Sequence, residues 1–241
     1  MSDLISELRG TELHLTLNRP DTGNGATDEM AAELRCLLLG AEQRASLVVL
    51  KGSGSDFCIG RARGRPPLPS TEALDRRRSS EVIFDCYQSF RDCSVPIVGV
   101  IQGRALGFGC SMAALCDITI ASDAATFQIP EMNHNILPTM VMSALVDRVG
   151  KKHVNYLVLT RATISALRAR EMEIVSEVVP AAELDAAVEE LLARLATTPR
   201  VALMGTKEYM QSAYDMPTRN AVDFAQNLHA VINSSSEIKK R

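Results

Sequence analysis

The sequence lacks a strong excess of charge of either sign, and this absence excludes several classes of partner. Its 241 residues carry a formal net charge of −3 at pH 7, and the sequence pI is about 5.9. Nucleic acids and anionic membrane surfaces attract basic proteins, so we expect neither as the main partner. The chain also contains no low-complexity tract and no internal sequence repeat.

Long hydrophobic runs and paired cysteine motifs are absent as well. No apolar stretch approaches the 18 residues of a membrane span, and the segment MSDLISELRG is too polar for a signal peptide. The six cysteines include no CxxC pair and no Cys/His spacing suited to zinc. We therefore expect reduced, buried thiols, no metal site and a cytoplasmic protein.

What is present indicates an α/β fold. Hydrophobic residues make up 46% of the chain, which is enough for one sizeable core. Alternating polarity predicts a strand over 12–20, and short apolar runs predict strands over 46–52 and 95–103 that are buried on both faces. Amphipathic spacing predicts helices over 27–43 (with Thr27 as its N-cap), 79–93, 109–117 and 143–160. This mixture of strands and helices continues to residue 180 and predicts an α/β body.

The pattern changes after Pro180, where strand signals stop and only helical spacing remains. We therefore divide the chain into a core of residues 1–180 and a helical region of residues 181–241. The helical region contains more apolar residues than a small appendage can bury alone, and this predicts oligomerisation through it. These residues are Leu191, Leu192, Leu195, Val201, Leu203 and Met204.

Two glycine-containing loops follow the two buried strands. DFCIGRA (56–62) follows the first, and GRALGFGC (103–110) follows the second and leads into a helix. Each loop places a glycine just before a residue whose backbone N–H could point into a shared space. Two convergent amides, one of them at a helix N-terminus, would form an oxyanion hole for a thioester carbonyl that becomes an enolate. An isolated loop of this kind is more often a simple turn.

In combination, four stretches of the chain resemble the crotonase (enoyl-CoA hydratase/isomerase) superfamily. The stretches are LNRPDTGNGATDEM, LVVLKGSGSDFCIGRA, VPIVGVIQGRALGFGCSMAALCDITIASDAATFQIPE and TISALRAREMEIVSEVVP. The resemblance covers nearly the whole chain, and it depends on all four stretches occurring in this order and at these separations. It implies a spiral of ββα units, a C-terminal α-helical trimerisation region and a bound acyl-CoA.

The resemblance also implies roles for individual residues. The oxyanion amides fall on Arg61 and Phe108, and the catalytic carboxylate falls on Glu131 in FQIPE. The second carboxylate that is typical of the family's hydratases is replaced by Ser111, which we interpret as a residue of the pocket lining. The residues expected to bind the substrate and its CoA part are Asp21, Gly23, Ile59, Gly60, Ala62, Arg63, Gly107, Ser111 and Pro130.

Other interpretations remain open for several residues. Glu131 follows a proline at an expected helix start, where the helix dipole alone favours a glutamate. His134 is a second candidate acid or base, although a single loop histidine is more often a surface residue. Asp117 stands where the family has a structural aspartate. The arginines of the two loops either meet CoA phosphates or are solvated, and they are Arg61, Arg63, Arg65 and Arg104.

Three positions depart from the family pattern because a larger residue replaces glycine. They are Phe108, which narrows the floor of the pocket, Arg161 and Glu173. With Glu131 and no second carboxylate, the sequence favours double-bond isomerisation over hydration, since isomerisation needs only one base. Alternatives are an enoyl-CoA hydratase, a ring-modifying acyl-CoA lyase or hydrolase, and a non-catalytic acyl-CoA-binding scaffold. We expect an acyl-CoA thioester as substrate, no separate cofactor, and a homotrimer or a hexamer.

Overall fold

The computed structural model describes residues 2–62 and 72–238, which form an α/β fold with two sheets. The strands are β1 (Leu4–Arg9), β2 (Glu12–Leu17), β3 (Leu47–Gly52), β4 (Ile97–Ile101), β5 (Arg104–Leu106), β6 (Ile118–Ser122), β7 (Thr126–Gln128), β8 (Ile164–Ser165) and β9 (Glu177–Val179). The helices are α1 (Asp28–Leu39), α2 (Ala73–Asp92), α3 (Phe108–Leu115), α4 (Thr139–Leu145), α5 (Lys151–Thr160), α6 (Ala166–Glu171), α7 (Leu184–Ala196), α8 (Arg200–Ala213) and α9 (Thr218–Asn233). Within the described ranges, no helix is both long and apolar enough to cross a membrane.

The larger sheet has the strand order β1-β2-β3-β4-β6-β9. β1 and β2 pair antiparallel, and every later neighbouring pair is parallel. All of β4 is buried, and in β3 only Lys51 is partly exposed, so the prediction of strands buried on both faces is confirmed. Strand β1 was not predicted, because only Leu4 of this strand is buried and the strand therefore shows no apolar alternation.

The smaller sheet contains β5, β7 and β8. In the successive units β4-β5-α3 and β6-β7-α4, the first strand joins the larger sheet, the second strand joins the smaller sheet, and a helix follows. The chain thus moves repeatedly from one sheet to the other. This arrangement confirms the expected spiral of ββα units and the α/β fold class.

The helix predictions are correct in position, with three differences in extent. The helix predicted over 27–43 ends at Leu39, and residues Ala41–Gln43 form a separate 3₁₀ turn. Thr27 caps α1 as predicted, since its side chain accepts a hydrogen bond from the Met30 N–H at 3.2 Å. The prediction of one helix over 143–160 is wrong, because α4 ends at Leu145 and a turn ending at Gly150, with non-helical φ −55° and ψ 135°, precedes α5. Helix α2 also begins earlier than predicted, at Ala73. Its first turns are polar and exposed, so they carry no apolar periodicity.

All six cysteines are free, and their surroundings differ. Burial raises the pKa of the Cys58, Cys86 and Cys110 thiols to about 12, which keeps them protonated and unreactive at neutral pH. Cys93 and Cys116 are also buried, whereas Cys36 is exposed on α1. The prediction of buried thiols is therefore confirmed for all of them except Cys36.

Arg161 and Glu173 adopt the left-handed backbone conformation that favours glycine. Their φ values are 57° and 66°. Arg161 ends α5, where its N–H donates to the Leu157 carbonyl at 3.0 Å. The turns that follow α5 and α6 are thus preserved although each residue has a side chain, and we expect a cost of about 1 kcal/mol at each position.

Both faces of the larger sheet are covered. One face packs on the main core, which includes residues of α1, α2 and α3. On the other face, Val49 of β3 and Val98 of β4 belong to a second core cluster with Leu184 and Val188 of α7. Helix α7 therefore packs directly on the core sheet. The division of the chain at residue 180 stays a prediction.

A buried lysine connects the C-terminal helices to the core. The Nζ atom of Lys207, on α8, donates to the Phe90 carbonyl at 3.1 Å and the Val95 carbonyl at 3.0 Å, and it lies 2.8 Å from Asp117 Oδ2. The same Oδ2 atom accepts a hydrogen bond from the Ile97 N–H at 2.8 Å. Asp117 therefore has a structural role, as expected, and it acts together with a helix that is distant in sequence.

Replacing Lys207 with methionine should destabilise the fold strongly. The substitution leaves the partly buried Asp117 carboxylate without its cation and removes a charged donor from the Phe90 and Val95 carbonyls. Removing one partner of a buried ion pair costs roughly 3–5 kcal/mol, which for a chain of this size lowers Tm by roughly 6–20 °C. Calorimetry measures the change. The exposed Lys152→Met on α5 is the matched control, and equal Tm values for the two variants would contradict the assigned role of Lys207.

Candidate active site

Two loops lie side by side at the ends of β3 and β4. Cys58 of the first loop pairs in parallel with Ala105 of β5. The Cys58 N–H donates to the Arg104 carbonyl at 3.1 Å, and the Leu106 N–H donates to the Cys58 carbonyl at 2.9 Å. A Cβ atom on Gly109, in the first turn of α3, would collide with the Cys58 carbonyl oxygen. Only glycine permits this close approach of the two backbones.

The Arg61 N–H points away from its backbone neighbour. Arg61 pairs in parallel with Ala26, but the bonds of this bridge run from the Ala26 N–H to the Gly60 carbonyl and from the Ala62 N–H to the Ala26 carbonyl. Alternate residues of an extended strand direct their N–H groups to opposite sides, so the Arg61 N–H faces the other side. Among the described residues, no acceptor bonds to it.

The Phe108 N–H lies at the start of α3. Gly107, just before it, has φ 50° and ψ −107°, so the glycine supplies the unusual backbone angle and Phe108 itself is helical. An N–H in the first turn of a helix has no partner within that helix, and none of the described residues accepts from it. The replacement of the family's glycine by phenylalanine at 108 therefore introduces no left-handed strain.

Glu131 places its carboxylate beside this turn. It begins the 3₁₀ turn Glu131–His134 directly after Pro130, and its carboxylate lies against Gly107, where an added Cβ would collide with Oε1. The Oε2 atom is buried and has no hydrogen-bond partner in the described part of the chain. Burial raises the pKa of this carboxyl above its ordinary value, as a proton-transfer group needs.

The structure brings several of the predicted binding residues to the first loop. Ile59 donates its N–H to the Gly23 carbonyl at 3.0 Å and packs on Gly23, while Gly60 has φ 115° and lies near the Leu106 carbonyl. Asp21 lies on the exposed 3₁₀ turn just before Gly23. Arg63, and with it Arg65, falls outside the described residues.

The arginines of the described loops already have carboxylate partners. Arg61 Nη2 donates to Asp28 Oδ1 at 2.6 Å, and Arg104 binds Asp56. These two guanidinium groups are therefore held by the protein itself. His134 is exposed, at the end of the turn that Glu131 begins.

Tyr87, a buried residue of α2, was not predicted from the sequence to belong to the site. Its ring stacks on that of Phe108, with the centroids 5.3 Å apart. Burial raises the pKa of its phenol, and Ser111 of α3, which is fully buried, lies nearby. The only signal in the sequence was its place on the apolar face of a predicted helix. Contact with α3 depends on tertiary packing that local periodicity does not contain.

An ion pair joins the two loops. Asp56 is buried, and its Oδ1 accepts from the Arg104 N–H at 3.0 Å and from Nε at 2.9 Å, while Oδ2 accepts from Nη2 at 2.7 Å. The hydrogen bonds from Arg104 hold the pKa of the Asp56 carboxyl below its ordinary value. The amide of the buried Asn24 donates to the Asp56 carbonyl at 2.7 Å, so a third segment is tied to the same point.

The variant Asp56→Asn should lower the free energy of unfolding at pH 7 by roughly 1–2 kcal/mol, since charge-assisted bonds are lost but Arg104 is half exposed. Because the folded pKa of Asp56 lies below its unfolded value, its contribution is fully present above about pH 4 and is lost as pH falls through the folded pKa. Urea unfolding at pH 7 and at a pH below the folded pKa of Asp56, well under pH 4, tests this. The exposed Asp215→Asn is the control, and a difference from wild type that persists in acid would contradict the role of the ion pair.

Comparison with known proteins places these features in a family. The family model described as enoyl-CoA hydratase/isomerase matches residues 10–241. The chain is 26% identical to the 2,3-dehydroadipyl-CoA hydratase of Escherichia coli K12, over 98% of this chain and 92% of that protein. It is 25% identical to the peroxisomal Delta(3,5)-Delta(2,4)-dienoyl-CoA isomerase of Arabidopsis thaliana, over 94% and 87%.

A solved structure shows the same architecture. A Thermobifida fusca protein assigned as an enoyl-CoA hydratase, in complex with CoA, is 30% identical and superimposes with a TM-score of 0.85, covering 95% of this chain and 92% of that one. The crotonase-like fold expected from the sequence is thereby confirmed. With two loops of converging backbone, a carboxylate beside them and a family model that spans almost its whole length, the chain belongs to the enoyl-CoA hydratase/isomerase family.

Proposed function

We propose that the protein binds an acyl-CoA thioester and stabilises its enolate with the backbone N–H groups of Arg61 and Phe108. The observation that carries this proposal is that both N–H groups lack an acceptor among the described residues, on loops whose backbones are in contact. A thioester oxygen about 2.7–3.1 Å from both donors would satisfy them. The CoA complex of the Thermobifida fusca relative supports the ligand class.

Within this class, double-bond isomerisation fits the side chains best. Glu131 removes a proton from C2 of a 3-enoyl thioester, and the two N–H groups stabilise the resulting dienolate oxygen. The same carboxyl then returns the proton at C4, leaving the double bond between C2 and C3. One base is sufficient for both steps, and the raised pKa of Glu131 suits a group that accepts and returns a proton. CoA is part of the substrate, so no separate cofactor is required.

Hydration is the second candidate function, because the E. coli relative is a hydratase. It requires a bound water and proton handling at both C2 and C3, and in this chain Ser111 stands where the resemblance places a second carboxylate. A ring-modifying lyase or hydrolase also belongs to the alternatives. A non-catalytic scaffold would bind acyl-CoA without needing Glu131. Exchange of the α-proton of an acyl-CoA with deuterium oxide distinguishes an enzyme from a non-catalytic scaffold. Product analysis with a panel of acyl-CoAs distinguishes an isomerase from a hydratase and from a lyase or hydrolase.

Glu131→Gln should lower kcat by roughly 10²–10⁴-fold with little change in the Kd for the acyl-CoA, because the amide keeps the shape of the side chain but cannot accept the proton. Stopped-flow turnover and calorimetric titration measure the two quantities. Ser111→Ala should cost far less. A fully active Glu131→Gln enzyme would contradict a single carboxylate base, and His134→Asn would then be the variant to examine.

We propose a homotrimer, or a hexamer of two trimers, assembled through the C-terminal helices. Most of the residues on which the sequence argument depended are used within the chain: Leu192 and Leu203 are buried, and Leu191, Leu195 and Met204 pack against the core clusters. Other apolar side chains are exposed on α8, on α9 and in the turn between them, namely Met210, Tyr214, Val222 and Val231. No residue of α9 is buried.

Light scattering at micromolar concentration should give a mass of about three or six chains, since exposed apolar faces of this extent are normally covered. The double substitution Val222→Lys/Val231→Lys should shift the mass towards the monomer by placing charge on α9. Leu159→Lys, an exposed apolar residue of α5, is the matched control outside these helices. A wild-type protein that is monomeric throughout the concentration range would contradict the proposal.

A further inference from the structure

The residue that carries the second candidate oxyanion donor also carries a large side chain. Phe108 is the first residue of α3. In an α-helix each Cα–Cβ bond tilts towards the helix N-terminus, so the side chain of a first-turn residue covers the region in front of the helix. The N–H of such a residue points into the same region. The phenylalanine ring therefore borders the space that a thioester bonded to this N–H would occupy.

Tyr87 of α2 closes this space behind Phe108. The two rings are stacked, with their centroids 5.3 Å apart and an angle of 27° between their planes. Phe108 is only 3% exposed and Tyr87 only 2% exposed. Ser111, one turn further along α3, has no exposed surface. Solvent thus reaches almost none of this surface, and the aromatic pair forms a closed wall.

Glu131 borders the same space on the side of Gly107. A Cβ atom on Gly107 would collide with Glu131 Oε1, so this oxygen lies close to the peptide that carries the Phe108 N–H. In the proposed reaction, C2 and C4 of the acyl chain must both come within reach of this carboxyl while the thioester oxygen lies at the N–H. The chain from C1 to C4 is thereby confined to the space between the carboxyl and the aromatic pair.

We propose that the stacked rings of Phe108 and Tyr87 limit the acyl group to a short chain, so that the substrates are acyl-CoA thioesters whose chain ends at C4 or soon after it. The inference rests on the proposed function, because it places the thioester oxygen at the Phe108 N–H. It makes Phe108 and Tyr87 specificity-determining residues that exclude longer chains and take no part in proton transfer.

The surroundings of the two rings favour exclusion of a longer chain over displacement of a ring. Both rings belong to the main core, together with the buried side chains of Cys110 and Met112. A longer chain could pass only if a ring left its close-packed position, and overpacking of a core is unfavourable. Stacking adds to the resistance, since moving one ring also removes its contact with the other.

The chain-length profile of the wild-type protein is the first test. Exchange of the α-proton with deuterium oxide is measured for butyryl-CoA, hexanoyl-CoA and octanoyl-CoA, and Kd is measured by calorimetric titration. In an open apolar pocket each added methylene tightens binding by roughly fourfold. We expect the opposite trend here. The kcat/KM for exchange should fall by at least about 10²-fold from butyryl-CoA to octanoyl-CoA, since a single misfitting methylene costs roughly 10–200-fold.

Substitutions in the aromatic pair test its part in this limit. Phe108→Ala and Phe108→Leu keep the backbone N–H but shorten the wall, so each should raise the ratio of octanoyl-CoA to butyryl-CoA kcat/KM by roughly 10–100-fold. Tyr87→Leu should act in the same direction. The matched control Tyr87→Phe keeps the ring and should keep the ratio. Phe90→Leu changes another fully buried aromatic residue of α2 and should also keep it.

The outcomes separate this inference from the proposed function. If no acyl-CoA of any length binds and exchanges, both are overturned. A wild-type protein that exchanges octanoyl-CoA as well as butyryl-CoA would overturn the chain-length limit and leave the proposed function intact. A steep wild-type profile that both Phe108 variants retain would overturn the role of the aromatic pair. If Phe108→Ala does not fold, as judged by its thermal unfolding, Phe108→Leu decides, because its smaller loss of volume disturbs the core less.

Discussion

Backbone contact between the loops after β3 and β4 is the constraint on which the candidate site depends. The parallel pairing of Cys58 with Ala105 fixes the register of the two loops, and Gly109 allows α3 to begin directly against the Cys58 carbonyl. The positions of the Arg61 and Phe108 N–H groups follow from this register. The ion pair of Asp56 with Arg104 adds a side-chain connection between the same two loops. The positions of these two N–H groups thus depend on main-chain geometry and not on the reactive side chains.

The Glu131 carboxylate is unfavourable in the absence of a partner. Its Oε2 atom is buried and has no hydrogen-bond partner among the described residues, and an unsatisfied buried polar group costs about 1–3 kcal/mol. The Arg61 and Phe108 N–H groups also have no acceptor among the described residues. A thioester oxygen would satisfy the N–H groups, and an acidic proton at C2 would satisfy the carboxylate. The stability that such an arrangement needs comes from elsewhere in the fold, including the sheet packed on both faces and the Lys207–Asp117 pair.

The parts of the fold that have a local signal could be predicted from the sequence. The runs of β3 and β4 showed burial on both faces, and Thr27 marked the start of α1. Strand β1 has one buried residue and hence no pattern. In the site, the two loops and Glu131 followed from motifs. The contacts of Tyr87, Asp56 and Lys207 could not be predicted in this way. They join residues far apart in the sequence, and periodicity and motif spacing carry information only about nearby residues.

The Gly107–Phe108 peptide has an evolutionary consequence. In the proposed chemistry, the enolate is stabilised by main-chain N–H groups. Their placement leaves no room for a side chain at Gly107 or Gly109. The acid–base half resides in side chains, and those are free to change by single codon substitutions without disturbing the donors. In the proposed chemistry, exchanging a carboxylate for a hydroxyl at position 111 would change the proton-transfer groups. The same exchange would leave the two main-chain donors for the thioester oxygen in place.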